Sequence, residues 1–163
     1  MNKVILSLLV ANHFGVLTRI TNLFGQRGFN IDSLAVGETE NKDFSRVTIA
    51  THGDENIINQ IRLQLAKLED VKIVSQIPDE QQFIREVALI KLKPHKNQLE
   101  ALANLLEDVG ARKQILEDEC CIVELTATPA TTNVFVEELR EYHIQEACRT
   151  GGAALALTKE TVY

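Results

Sequence analysis

From Val4 to Val10 the chain is apolar at nearly every position and rich in Val, Ile and Leu, which predicts a strand over Lys3–Val10. The period then changes. Val16, Ile20, Leu23 and Arg27 recur at helical spacing, with Leu17 and Phe24 widening the apolar stripe, so a helix is expected over residues 15–27. Ile31, Leu34 and Val36 predict a second strand within Asn30–Glu38, and the polar run Glu40–Asp43 a turn. Phe44–Thr51 alternates, with Val47, Ile49 and Thr51 on one face and Arg46 and Thr48 on the other, which completes a hairpin. Gly53-Asp54-Glu55 reads as a helix start. Ile58, Ile61, Leu65 and Leu68 follow at steps of three and four. Val71–Ile77 is then a strand, with Val71, Ile73 and Ile77 expected on one face.

Pro78 to Gln82 is a polar break, and the plan repeats after it. Ile84–Lys93 reads as a strand turned by Pro94 and His95. Leu99, Leu102, Leu105, Leu106 and Val109 form a helical stripe that stops at Gly110, in the position of a C-terminal glycine. Arg112–Glu117 and Cys121–Thr126 read as a hairpin around Asp118-Glu119. Thr128-Pro129 is an N-cap followed by proline at the first helical position, with Phe135, Leu139 and Tyr142 as the next stripe. Ile144–Arg149 is the last clear strand, which Gly151–Leu157 extends. The expected fold class is α+β: two tandem ferredoxin-like βαββαβ units, each an antiparallel sheet with two helices on one face. The expected boundaries are 1–77 for the first domain, 78–83 for a linker and 84–163 for the C-terminal domain. No residue-level repeat links the halves.

In the first strand, Val4, Leu6, Leu8 and Val10 share one face while Ile5 and Leu9 lie on the other. A two-layer domain normally leaves its helix-free sheet face more polar. That face or the sheet edge is therefore expected to be covered by the other unit or, as the favoured reading, by a second chain.

Composition narrows the partners. Hydrophobic residues are 45% of the 163 and the formal net charge is −6, with no block of Lys and Arg. Neither a nucleic acid nor an anionic membrane is an expected partner. No run is long enough to span a bilayer, and the N-terminus lacks the small-residue cleavage site of a signal peptide. Three cysteines, two of them adjacent at Cys120 and Cys121, do not make a disulfide framework, and a reducing cytoplasm is the simplest setting. One adjacent thiol is expected to be buried and the other partly exposed and inert. His13, His52, His95 and His143 stand singly at turns or element ends, without the spacing of a helical metal site. Glu117-Asp118-Glu119 and Glu137-Glu138 read as solvated surface, and Gly151-Gly152 as a bend. No nucleophile elbow, Walker loop or dinucleotide fingerprint is present, so neither a catalytic residue nor a metal site is expected. An enzymatic role would have to rest on Cys121, His143 or Cys148, which form no assembled set.

Candidate chemistry concentrates at Asn12-His13-Phe14-Gly15-Val16-Leu17-Thr18, where a strand hands over to a helix, with an echo at Gly28-Phe29-Asn30-Ile31. The first helical turn leaves N–H groups without intrahelical partners, and its dipole favours an anion. Glycine there lets a ligand approach the backbone, and asparagine offers a donor and an acceptor. Such a corner suits a small zwitterion. An ordinary helix cap with a turn glycine accounts for the same residues.

Several segments carry a family resemblance over essentially the whole chain, in order. They are NHFGVLTRITNLFGQRGFNIDSLAV (Asn12–Val36), SRVTI (Ser45–Ile49), REVALIKL (Arg85–Leu92), VELTATP with the following FVEELREY, and IQEACRTGGAAL (Ile144–Leu155). The first half resembles an ACT domain, a small-ligand module. The whole is similar to the small regulatory subunits of acetolactate (acetohydroxyacid) synthase. That resemblance implies a non-catalytic chain that binds and activates a thiamine-diphosphate-dependent catalytic subunit. It also implies feedback inhibition by valine in branched-chain amino-acid biosynthesis. No cofactor is expected on this chain; thiamine diphosphate, Mg and FAD are expected on the catalytic subunit. The implied valine site lies between two ACT domains of a homodimer, on Asn12, Gly15, Val16, Leu17 and Thr18 of one chain and Asn30 and Ile31 of the other. Three departures fall in the C-terminal half. Ala127 and His143 stand where the family commonly has Gly, and Thr158-Lys159 where an Arg-Gly pair is frequent. A stand-alone ACT sensor acting on another enzyme or on transcription is the alternative, weakened by the acidic charge and the lack of a DNA-binding helix pair.

Overall fold

A computed structural model describes residues 2–116 and 120–158. By contacts the chain forms two compact units, one of residues 1–83 with 151–163 and one of residues 84–150.

The first unit runs β1 (Asn2–Ala11), α1 (Val16–Gln26), β2 (Ser33–Glu38), β3 (Phe44–Gly53), α2 (Glu55–Leu65) and β4 (Val71–Ile77). Its sheet has the order β2-β3-β1-β4, antiparallel at every pairing. Leu6 opposite Ile49 and Leu8 opposite Val47 set the core face. Onto it pack Val16, Ile20 and Phe24 of α1 and Ile58, Ile61 and Leu65 of α2. Removing each such side chain from water contributes about 2 kcal/mol, which outweighs the weak intrinsic stability of two short helices. Asp54 caps α2, its Oδ1 accepting from Ile57 N–H at 2.9 Å.

Two expectations are corrected here. Val10 pairs with Val71 but Leu9 pairs with Ile73, so Lys72 is an extra residue in β4, a bulge. The bulge reverses the side-chain alternation: Val71 and Val74 join the helix-side core, while Ile73 and Ile77 oppose Leu9 and Ile5 on the other face. Second, the helix-free face needs no second chain to cover it. Ile5, Ser7, Leu9, Thr48 and Ala50 are already buried within the single chain. Arg46 crosses this face to donate to Ser7 Oγ at 3.1 Å.

The second unit contains most of β5 (Gln82–Leu92), then α3 (Leu99–Val109), β6 (Arg112–Ile115), β7 (Cys121–Ala127), α4 (Pro129–Glu138) and β8 (Ile144–Arg149). Its order β6-β7-β5-β8 is the strand order of the first unit. Both units are thus ferredoxin-like, as expected from the alternation of periods. A last strand, β9 (Ala153–Ala156), follows. The segment from Gly151 onward, counted with the second half by chain order, groups with the first unit. There β9 packs against β1, and Leu157 N–H donates to the Gln81 carbonyl at 2.6 Å.

Thr128 Oγ1 accepts from Thr131 N–H at 3.2 Å and caps α4, with Pro129 at its first position. After Glu138 the helix tightens into a single 3-10 turn, Leu139–Tyr142. His143 then takes φ 59, the left-handed conformation that favours glycine. Its ring packs edge-on against His95 at 4.5 Å, so these two histidines do not stand singly. The acidic run Glu117-Asp118-Glu119 lies outside the described residues.

Candidate functional site

The corner between β1 and α1 is tied from two neighbouring turns. Ala11 N–H donates to the Asp70 carbonyl and Asn12 N–H to the Asp43 carbonyl, both at 2.8 Å. Asn12 Nδ2 donates to the Lys42 carbonyl at 2.9 Å and to Glu38 Oε1 at 3.1 Å. A carbonyl and an ionised carboxylate can only accept, so the nitrogen of the Asn12 amide must face them. Its oxygen, Oδ1, is the atom left for a ligand.

Gly15 caps α1 with φ +87 and ψ −11. The sequence offered a close approach as the reason for glycine; the backbone conformation is a second reason, invisible in the pattern. A Cβ here would also stand 3.1 Å from Arg19 Nη1. Arg19 is held beside the corner by Asp70, whose Oδ2 accepts from Nε at 2.6 Å, while His13 Nε2 lies 3.0 Å from Oδ1. Asp70 fixes the corner from both sides and was not singled out by sequence, because it lies far along the chain in the turn after α2.

The helix start sorts its side chains. Val16 is buried in the core, so only its backbone faces the corner. Leu17 and Thr18 point outward, and Leu17 is not part of the buried stripe expected for it. Their N–H groups belong to the first turn, the natural seat for a carboxylate. Phe14 is 99% exposed at the tip of the corner.

Asn30 and Ile31 lie beyond the other end of α1. Ile31 packs partly against the core and Asn30 is exposed. Thr51, fully buried, donates from Oγ1 to the Asn30 carbonyl at 2.6 Å, and Asp32 N–H donates to the Ala50 carbonyl at 2.9 Å. These bonds clamp the segment onto β3. Asn30 Nδ2 donates to Asp32 Oδ1 at 2.7 Å, and Asp32 Oδ2 pairs with His52 Nδ1. The residues of α1 separate the two sets by about 16 Å. One chain therefore brings Asn12, Gly15, Val16, Leu17 and Thr18 together but not Asn30 and Ile31 with them. Two cavities, of about 560 and 410 Å³, are lined by other residues.

Among the described residues no group of three or more His, Cys, Asp or Glu side chains could hold a metal ion. No described helix is long and apolar enough to cross a membrane. Cys121 is buried, and burial pushes its thiol pKa up against the pull of Lys113. That is the state of a packing residue and not of an activated nucleophile.

Residues 6–73 match the family model described as "AHAS small subunit-like ACT domain", and residues 85–158 the model "Small subunit of acetolactate synthase". The chain is 39% identical over 147 residues to the acetolactate synthase small subunit of Mycolicibacterium smegmatis, covering 90% of this chain and 86% of that one. It is 36% identical over 155 residues to that of Bacillus subtilis, covering 94% and 90%. The crystal structure of the acetolactate synthase small subunit from Thermotoga maritima superposes with a TM-score of 0.88 at 34% identity, covering 96% of this chain and 98% of that one. With both halves matched in order, and similarity of this extent along nearly the whole length, the chain belongs to the acetolactate synthase small subunit family.

Proposed function

We propose that this chain is the non-catalytic regulatory subunit of acetolactate synthase. It binds a thiamine-diphosphate-dependent catalytic subunit in the cytoplasm, raises its activity and makes it subject to feedback inhibition by valine. It carries no cofactor of its own; thiamine diphosphate, Mg and FAD belong to the catalytic subunit. Two copies pair through their first units so that Asn12–Thr18 of one meets Asn30 and Ile31 of the other. The valine carboxylate takes the N–H groups of Leu17 and Thr18, where Gly15 presents no Cβ. The ammonium takes side-chain amide oxygens, Asn12 Oδ1 among them, and the isopropyl group lies against Leu17 and Ile31. Occupancy reaches the catalytic subunit as a coupling free energy, typically about 1–3 kcal/mol, through differential affinity for two states of the assembly.

The observation that carries this reading is the division of the polar groups into two half-sites at opposite ends of α1, each with its donors tied down inside its own chain. Reconstitution tests it. The isolated chain should form no acetolactate from pyruvate. Added to its catalytic subunit it should raise activity and confer inhibition by valine. A catalytic subunit whose rate and valine response are unchanged by the chain contradicts the proposal.

A further inference from the structure

Asn30 is exposed, and an exposed asparagine amide ordinarily turns freely between two orientations. Here it is not free to turn. Its Nδ2 sits 2.7 Å from Asp32 Oδ1, and a carboxylate accepts but does not donate. Only the nitrogen can face Asp32, so the oxygen must face away. Asp32 is itself braced. Its second oxygen pairs with His52 Nδ1, its N–H is bonded to the Ala50 carbonyl, and its side chain is 23% exposed against 44% for His52. The Asn30 backbone is pinned from the other side by the buried Thr51 hydroxyl. No hydrogen bond to Asn30 Oδ1 is found among the described residues. The result matches the first half-site, where Glu38 and Lys42 impose the same orientation on Asn12.

From this we infer that Asp32 is a positioning residue for the effector site. It fixes the Asn30 amide with the oxygen outward, as an acceptor for the ammonium of an amino-acid effector on a second chain. The inference rests on the valine-site reading above and deepens it, since the pair of outward oxygens selects a ligand that brings a cation beside its carboxylate. Asp32 touches no ligand in this scheme; it acts through Asn30.

A double-mutant cycle read by two methods tests this. In the intact homodimer, side-chain amide NMR should show the Asn30 NH2 protons shifted and slowly exchanging. Asp32→Ala should return them to the values of a free amide. Valine titration of the chain by calorimetry should show binding weakened about tenfold by Asn30→Ala and about fivefold by Asp32→Ala. The double variant should be no weaker than Asn30→Ala alone, because the second residue acts only through the first. Asp32→Asn, which keeps the size but can present either amide atom, should fall between wild type and Asp32→Ala. Additive losses, or an Asn30 amide unaffected by Asp32→Ala, overturn the inference while leaving the valine site standing. Failure of the wild-type chain to bind valine, or binding indifferent to Asn30→Ala, overturns the site itself and the role of Asp32 with it.

Discussion

A positive φ is a demand on residue type, and it is met differently at two positions. At Gly15 (φ +87) the residue has no Cβ to strain. At His143 (φ 59) it does, and the backbone is held by the Lys93 N–H donating to the His143 carbonyl at 3.2 Å and by the His95 ring. Gly15→Ala should therefore cost about 1–2 kcal/mol of stability, seen by calorimetry as a fall in Tm of about 3 °C per kcal/mol. An unchanged Tm would mean the corner relaxes to another conformation. The cysteines give a second prediction at this scale. Burial raises the Cys121 pKa, and the thiolate is the reacting species, so its labelling should require higher pH than an ordinary thiol needs. Cys148 is exposed. At pH 8, mass spectrometry should find Cys148 alkylated quickly and Cys121 only slowly; equal rates would contradict the packing of β7.

At the scale of elements, period alone located most of the fold. β4 and β8 fall where apolar alternation put them, and Asp54, Gly110 and Thr128-Pro129 end or begin helices as their residue types predict. What was not legible shares one cause: it depends on pairing. A single inserted residue such as Lys72 leaves no mark in an alternating pattern until the partner strand is known, so the pattern wrongly groups Val71 with Ile73 and Ile77 on one face. Asp32 and Asp70 look like ordinary turn acids until the fold brings His52, Asn30, His13 and Arg19 to them. The same holds for Glu86, 6% exposed on β5, whose partner Arg149 on β8 also donates to Asn133 Oδ1 at 2.8 Å. Arg149→Met leaves that carboxylate buried and unpaired and should cost about 3 kcal/mol in urea denaturation. Glu86→Met combined with Arg149→Met should recover most of the loss. A double variant as unstable as the single would show that packing, not the stranded charge, sets the cost.

Over the whole molecule, chain order and contact order part company at Gly151. A Cβ on this residue would lie 2.9 Å from the Ala35 N and closer still to the Leu34 carbonyl, both backbone atoms of β2 that cannot yield cheaply. Gly151→Ala should destabilise the first unit by about 1–3 kcal/mol, with hydrogen exchange quickening in β2 and not in β6 and β7. Protection unchanged in β2 would contradict the close approach. The half-sites at the two ends of α1 set the central claim, that an effector is read by residues of two chains. The most direct measurement is valine titration of the reconstituted enzyme with small subunits carrying Gly15→Asp, Asn30→Ala, or one of each in a mixed dimer. Gly15→Asp should abolish inhibition, because its carboxylate would stand against that of the ligand. Asn30→Ala should weaken inhibition by about 1–3 kcal/mol. In the mixed dimer both substitutions fall in one composite site and the other remains whole, so valine inhibition at wild-type affinity should return in part. A mixed dimer no more responsive than the Gly15→Asp homodimer would contradict a site built from two chains.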